Sequence, residues 1–474
     1  MTSFKPVAAL LALACTLLPI TGEAADDVAV LRAELQALKN EYAARVGVLE
    51  ARIEQLESTS VSTTTTVVAA APEPSGTQGA PQQPVPVAGS RSAASAFNPA
   101  ISVIFGGNYT NVSRDPESWG IAGFIPSGGE VGPGERSINL GESELVLTAS
   151  VDPYFSATMI AAITPEDEIE VEEAYFRTLA LPSGFTAKGG RFFSSIGYLN
   201  EVHAHAWDFV DQPLAYQAFF GNQRAQDGVQ VKWLAPMDLF VELGAETGNG
   251  EAFPGTRRNR NGLNGTTVFA HVGGDIGDST SWRAGASWVD LRADDRSWED
   301  VNGLDEPVLN SFTGKSRTWV VDAVLKWTPY GNVTRQQLKL QGEYMRRKEI
   351  GQLTFDAEGL ALSDAFRSEQ SGWYLQSVYQ FRPRWRVGLR YDALDSGSPS
   401  IALVDSGVLP PEAFPALLSA ESDRISLMLD WSPTDFSRLR AQYAWDDARD
   451  EGQRDRQLRL QYIYGIGAHS AHKY

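Results

Sequence analysis

Residues 316–329 read SRTWVVDAVLKWTP. Side chains on an extended chain alternate between two faces, so Trp319, Val321, Ala323, Leu325 and Trp327 share one face, with Thr318, Asp322 and Lys326 on the other. The run ends on an aromatic residue just before a proline. The same ending recurs at Trp233-Leu-Ala-Pro236, Phe381-Arg-Pro383 and Trp431-Ser-Pro433, with aromatics on the next segment at Phe240, Trp385 and Phe436. A soluble sandwich shows the same alternation but has no reason to place an aromatic beside every other turn. A barrel crossing lipid does, because aromatic rings gather where hydrocarbon meets water.

Working outward, the same alternation runs through Leu145, Leu147, Ala149 and Val151, through Val229, Val231 and Trp233, and through Trp385, Val387, Leu389 and Tyr391. Asp152-Pro-Tyr154, Pro182-Ser-Gly184 and Gly277-Asp-Ser-Thr280 add three short turns to the four above, and seven such turns imply sixteen strands. The expected strands are 100–111, 139–152, 155–163, 169–182, 185–197, 226–236, 238–249, 266–277, 280–293, 316–329, 335–350, 371–383, 384–396, 423–433, 435–447 and 454–468. An all-β, sixteen-stranded antiparallel transmembrane β-barrel is therefore expected over 97–474, with both ends on the short-turn side. In that register Leu145, Val231, Leu325, Leu389, Leu439 and Leu460 face lipid, and Gly388 faces the lumen. An arginine is expected to do more harm at Leu389 than at Gly388.

The chain has 474 residues, a formal net charge of -19, 43 glycines and 12 tryptophans. That charge argues against nucleic acid as a partner, since neutralising phosphates takes clustered Lys and Arg. Mean hydropathy is -0.23, and no apolar run of about 18 residues follows the first 25, which excludes a polytopic helical membrane protein. A barrel is not excluded, because only alternate residues of its strands meet lipid. Lys5, the apolar stretch Pro6 to Ile20 and Gly22-Glu23-Ala24 read as a signal peptide over 1–24. Cys15, the only cysteine, lies within it, so disulfides and thiol chemistry are not expected of the mature chain.

Over 26–58 the residues Val28, Leu31, Leu35, Leu38, Tyr42, Leu49 and Leu56 follow three- and four-residue spacing, as in a short α-helical coiled coil, with a solitary amphipathic helix on a neighbouring surface as the alternative. Ser, Thr, Ala, Pro and Gln dominate 59–96, a composition that leaves a disordered linker. The coiled coil is expected in the periplasm and suggests a homotrimer, since three barrels would bring three such helices together.

The segments SELVLTASVDPYF (143–155), VEEAYFRT (171–178) and GGRFFSSIGYLNEVHAHAWDFVDQPL (189–214) resemble Gram-negative outer-membrane porin-like proteins, a group variously described as porin-like, zinc-regulated or TonB-dependent receptors. GRFFSSIG also resembles the phosphate-selective porins. The resemblance extends over about 97–474 and implies an outer-membrane location, lipid and lipopolysaccharide as surroundings, and a third loop folded inward to narrow the channel, as in general diffusion porins. A TonB-dependent receptor needs about 22 strands around a plug domain. Sixteen strands and their loops use up this chain.

The third long loop, Tyr198 to Ala225, carries Glu201, Asp208 and Asp211 as the expected constriction residues. Arg384, Arg386, Arg390, Arg424, Arg438, Arg440 and Arg459 occupy polar-face positions of the last strands. One reading is a solvated, charge-balanced lumen. The sharper one is a basic wall opposite an acidic loop, whose transverse field favours anions locally. His203 and His205 project to one side of an extended segment, a spacing compatible with zinc or copper, with loop packing as the alternative. His469 and His472 form a second pair. No serine has the nucleophile-elbow context, so no enzyme activity and no cofactor are expected. The expected function is an outer-membrane porin, a passive channel for small hydrophilic solutes or ions. The alternative is a substrate-specific receptor or channel for a metal or metal chelate, such as zinc or a siderophore.

Overall fold

The computed structural model describes residues 99–467 apart from 129–130, 166–167, 302–305, 450–451 and 453. The chain divides into two units, Met1–Gln78 and Gly79–Tyr474, and the described residues all belong to the second. The expected signal peptide over 1–24, coiled-coil helix over 26–58 and linker over 59–96, and His469 with His472, lie outside the described residues.

Sixteen strands form one closed antiparallel sheet: β1 (Ala100–Val112), β2 (Ser137–Ser150), β3 (Phe155–Ile163), β4 (Ile169–Thr178), β5 (Phe185–Phe193), β6 (Ala225–Leu234), β7 (Phe240–Gly248), β8 (Gly265–Ile276), β9 (Thr280–Val301), β10 (Pro307–Trp327), β11 (Gln337–Phe355), β12 (Leu362–Arg382), β13 (Trp385–Asp395), β15 (Glu421–Thr434), β16 (Ser437–Asp446) and β17 (Asp455–Gly467). A two-residue β14 (Ser400–Ile401) is a rung against β12 within a loop. β1 pairs with β2 on one side and with β17 on the other, from Ser102↔Gly467 to Val112↔Gln457. Closure leaves the sheet no open edge, and in hydrocarbon each unpaired backbone group would cost on the order of several kcal/mol. Short connections join β2 to β3, β4 to β5, β6 to β7, β8 to β9, β10 to β11, β12 to β13 and β15 to β16, at the seven expected positions.

The alternation read from 316–329 holds. Trp319 and Val321 are 56% and 52% exposed, while Val320 and Asp322, which alternate with them, are 0% and 1%. Leu145, Val231, Leu389, Leu439 and Leu460 lie on the outer face, with Leu325 half-buried beside them. Aromatics form two outer belts. On the turn side Trp385 stacks on Trp431 at 5.6 Å, and Phe185 lies against Trp233. On the other side Trp288 meets Trp319, Trp373 meets Tyr391, and Tyr443 meets Trp445. Trp319 and Trp327 mark the two belts on β10 and are separated by about 27 Å at roughly 3.4 Å per residue, matching an apolar band about 25 Å tall on a tilted strand.

β9 to β12 are longer than the alternation predicts, at 22, 21, 19 and 21 residues. A crossing needs only about 9 to 11. Beyond the upper belt the outer face meets water, so the apolar side of the pattern fades and the sequence reads as loop. The inner face there turns apolar instead, and Phe312, Leu353, Phe355 and Phe366 pack with Ile401, Leu403, Phe414 and Leu417 from the loop before β15.

Gly388 does not face open water. A Cβ there would come within 2.9 Å of Met428 and 3.0 Å of the Phe209 ring, so the lumen face at this height is filled by the third loop. Leu389→Arg is expected to lower unfolding free energy in lipid vesicles by about 2 to 4 kcal/mol. Gly388→Arg is no mild control, because it must displace Phe209. A loss below about 1 kcal/mol at Leu389 would show that this residue does not face hydrocarbon.

Candidate functional site: the third loop across the lumen

Residues 194–224 leave β5 and return to β6 through a narrow neck. Asn200 Nδ2 donates to the carbonyls of Ser194 (2.7 Å) and Arg224 (3.0 Å), and Arg224 N donates to Asn200 Oδ1 at 2.8 Å. Glu246 on β7 accepts from Ser194 Oγ at 2.5 Å and Ser195 N at 2.8 Å. Beyond the neck the loop runs across the lumen to strands on the far side.

One half of the loop is anchored by apolar burial. Pro213 precedes a short helix, α1 (Leu214–Phe220), which Gly221 ends in the left-handed conformation at φ 63°. All seven helix residues are buried. They pack on Val289, Leu291, Val320, Met345, Tyr374 and Leu394. Burying a large apolar side chain contributes roughly 1.5 to 3 kcal/mol, so Leu214, Phe219 and Phe220 together hold this end firmly. Glu343 completes the anchor, accepting from Tyr216 OH at 2.9 Å, Tyr374 OH at 2.7 Å and Leu199 N at 3.1 Å. Sequence reading misses this contact. Its signal is Val320, Val324 and Met345, apolar residues at lumen positions of β10 and β11.

The other half is anchored by charge. Asp211 meets Arg390 at 2.7 Å, Arg424 at 3.1 Å and Arg459 at 3.2 Å, and Gln442 Nε2 donates to it at 3.0 Å. Asp208 meets Lys339 at 2.5 Å and Arg386 at 3.2 Å. Arg438 pairs with Asp430 and donates to the carbonyls of His205 and Trp207, and Arg440 Nη2 donates to Trp207 O at 2.5 Å. Six of the seven expected basic-wall arginines thus contact the loop or the carboxylates beside it. Arg384 does not: it is exposed in the β12–β13 turn at φ 70° and donates to Pro433 O. Glu201 lies apart from Asp208 and Asp211, 3.4 Å from Lys232 and 3.9 Å from Lys188.

Acidic loop and basic wall therefore do not face each other across a gap; they touch. Lys339, Arg386, Arg390, Arg424, Arg438, Arg440 and Arg459 meet Asp208, Asp211, Asp392, Asp430 and Asp446, seven cations against five carboxylates. Burial alone would raise the carboxyl pKa of Asp208 and Asp211. The cations override it and hold both well below the usual carboxylate range. Glu201 likewise falls to about 2, because Lys232 and Lys188 outweigh its desolvation.

His203 and His205 are placed together, with rings 6.0 Å apart and nearly parallel. Both face carboxylates of the wall. His203 Nδ1 is 3.1 Å from Glu172 Oε2, its Nε2 is 3.1 Å from Glu173 Oε2, and His205 Nδ1 is 2.6 Å from Glu144 Oε1. Burial opposes charging of His203, yet Glu172, Glu173 and Glu144 hold its pKa well above the ordinary value.

A closed sixteen-stranded barrel, belted with aromatics outside and crossed inside by its third loop, is a porin-like barrel. No family model matches the chain. It is 32% identical over 361 residues to an uncharacterized protein of Aquifex aeolicus (strain VF5), an alignment that covers 72% of this chain and 71% of that protein, and it belongs to the same family. Among solved structures it is similar to a loop L8 deletion mutant of OmpT, an outer membrane protein of Vibrio cholerae, at TM-score 0.49 and 11% identity, over 78% of this chain and 100% of that one. It is also similar to the outer membrane channel DcaP of Acinetobacter baumannii, at TM-score 0.48 and 12% identity, over 80% and 100% of the two chains. The anion-selective porin from Comamonas acidovorans is similar at TM-score 0.45 and 10% identity, over 78% and 99%.

Depressed carboxyl pKa values fix the sign of a pH effect. The stability these groups contribute is fully present above their unfolded value of about 4 and is lost only as pH falls through the folded value, which for Glu201 is about 2. The ionic anchor at Asp208 and Asp211 is therefore expected to hold from pH 7 to pH 4. A conductance step between pH 7 and pH 5 in planar bilayers that disappears in Asp208→Asn with Asp211→Asn would contradict the ion-pair assignment.

Proposed function

We propose that the protein is an outer-membrane porin, a passive channel for small hydrophilic solutes or ions whose narrowest part is set by the third loop. The observation that carries this reading is the placement of that loop: it crosses the lumen and is anchored on both of its halves, while charged side chains on it and on the wall beside it keep contact with solvent. Glu201, Lys232 and Glu242 are such side chains, at 33%, 19% and 20% exposure. The permeation path runs along them, on the β5 to β8 side, and the docked loop fills the side of β10 to β17. The surplus of cations over carboxylates in the ionic network favours anions near the constriction. A homotrimer in lipid and lipopolysaccharide, with the helix over 26–58 in the periplasm, completes the proposal.

Planar-bilayer recording of the purified protein tests it. The wild type is expected to give discrete conductance steps. Asp208→Asn with Asp211→Asn removes two ionic anchors and uncovers arginines, and is expected to raise unitary conductance and move the reversal potential in a KCl gradient toward anions. Arg390→Gln with Arg424→Gln is expected to move it toward cations. Absence of any conductance contradicts the porin reading; steps that both variants leave unchanged contradict the assignment of the constriction.

A further inference from the structure

We infer that His203, Glu144 and Glu172 form a binding site for one divalent transition-metal ion of the zinc class, which fastens the third loop to β2 and β4. The three ligand atoms come from three separate segments and lie within 4.8 Å of one another. His203 Nδ1 stands 3.1 Å from Glu172 Oε2 and 3.8 Å from Glu144 Oε2. Tetrahedral coordination at about 2.0 to 2.2 Å places ligands roughly 3.4 Å apart, so sub-ångström shifts bring the set around an ion.

The second observation is what stands behind each ligand. His203 Nε2 lies 3.1 Å from Glu173 Oε2, and Glu173 is itself fixed by Phe193 N at 3.1 Å. With a metal bound, His203 keeps one proton, on Nε2 and donated to Glu173, and offers the Nδ1 lone pair between Glu172 and Glu144 in place of the Nδ1 proton. That is the carboxylate–histidine arrangement by which proteins orient a ligating imidazole. On the far side His205 Nδ1 holds Glu144 Oε1 at 2.6 Å, which directs the other oxygen of Glu144 to the site. A lone pair facing two carboxylate oxygens is repulsive unless positive charge lies between them. A proton on Nδ1 serves one contact well, whereas a dication serves all three.

An imidazole with two carboxylates selects borderline ions such as Zn²⁺ over Ca²⁺ and Mg²⁺, which take oxygen ligands in larger number. With three protein ligands, one coordination position remains for water. The site does not depend on whether the barrel conducts.

The test is titration of metal-free, tag-free full-length protein in detergent with Zn²⁺ by calorimetry, and with Co²⁺ by visible absorption. One ion per chain is expected. His203→Gln and Glu172→Gln are each expected to weaken binding at least about 10-fold, and Glu173→Gln by roughly 10- to 100-fold. The double variant His469→Gln with His472→Gln is expected to keep the ion, which separates this site from the C-terminal pair. Heat-modifiable migration reports folding, and Glu172→Gln, on a different segment, serves if His203→Gln does not fold. No binding by the wild type, or unchanged affinity in a folded His203→Gln or Glu172→Gln variant, overturns the inference.

Discussion

Asp211 is a buried carboxylate inside a barrel, and its charge is tolerable only because three guanidinium groups from three strands converge on it. Removing an ion from water costs on the order of several kcal/mol, and breaking a buried pair typically loses about 3 to 5. The strands meet that demand through their register. Arg424 pairs across with Asp392, Arg390 with Ser426, and Gln442 with Arg459, so the donors reach the lumen at neighbouring heights. Slipping one strand by one residue would turn its arginine toward lipid. Loop docking and strand register therefore specify each other.

This constraint changes what the arginines do. In an open lumen they would set up a field felt by any passing ion. Here most of that field ends on Asp208, Asp211, Asp392 and Asp430, and the guanidinium groups act first as clamps on loop carbonyls and carboxylates. The opposite half of the loop is held chiefly by apolar packing, with Glu343 accepting from Tyr216 OH and Leu199 N. Its aromatic helix rests on Val320, Met345 and Tyr374. Ahead of both anchors in the chain, His203 and His205 bring the loop against Glu144, Glu172 and Glu173.

Much of the barrel is legible in the sequence because lipid imposes a strict rule on every second residue between the two belts. Residues 316–329 follow it, and the seven short turns fall where prolines, glycines and flanking aromatics mark them. Where lipid ends the rule ends, and the upper ends of β9 to β12 read as loop. The third loop is legible as an aromatic, acidic segment, and Asp208 and Asp211 do meet arginines of the last strands, although Arg384 is not among them. Contact across the chain cannot be read in this way: Glu144 and Glu172 precede His203 by 59 and 31 residues, and only the closed sheet brings them together. Lumen positions occupied by Val320 and Met345 are a readable sign that something apolar lies against them.

The most direct measurement of the loop's placement is amide hydrogen exchange, followed by mass spectrometry, on the folded protein in detergent or nanodiscs. Peptides spanning Val210 to Phe220 are predicted to exchange as slowly as those from the barrel strands, and the part ahead of Leu214 is predicted to exchange faster in Asp211→Asn. If the wild-type segment exchanges as fast as the exposed loop at 259–262, the third loop is not held inside the barrel, and neither the ionic nor the apolar anchor fixes it there.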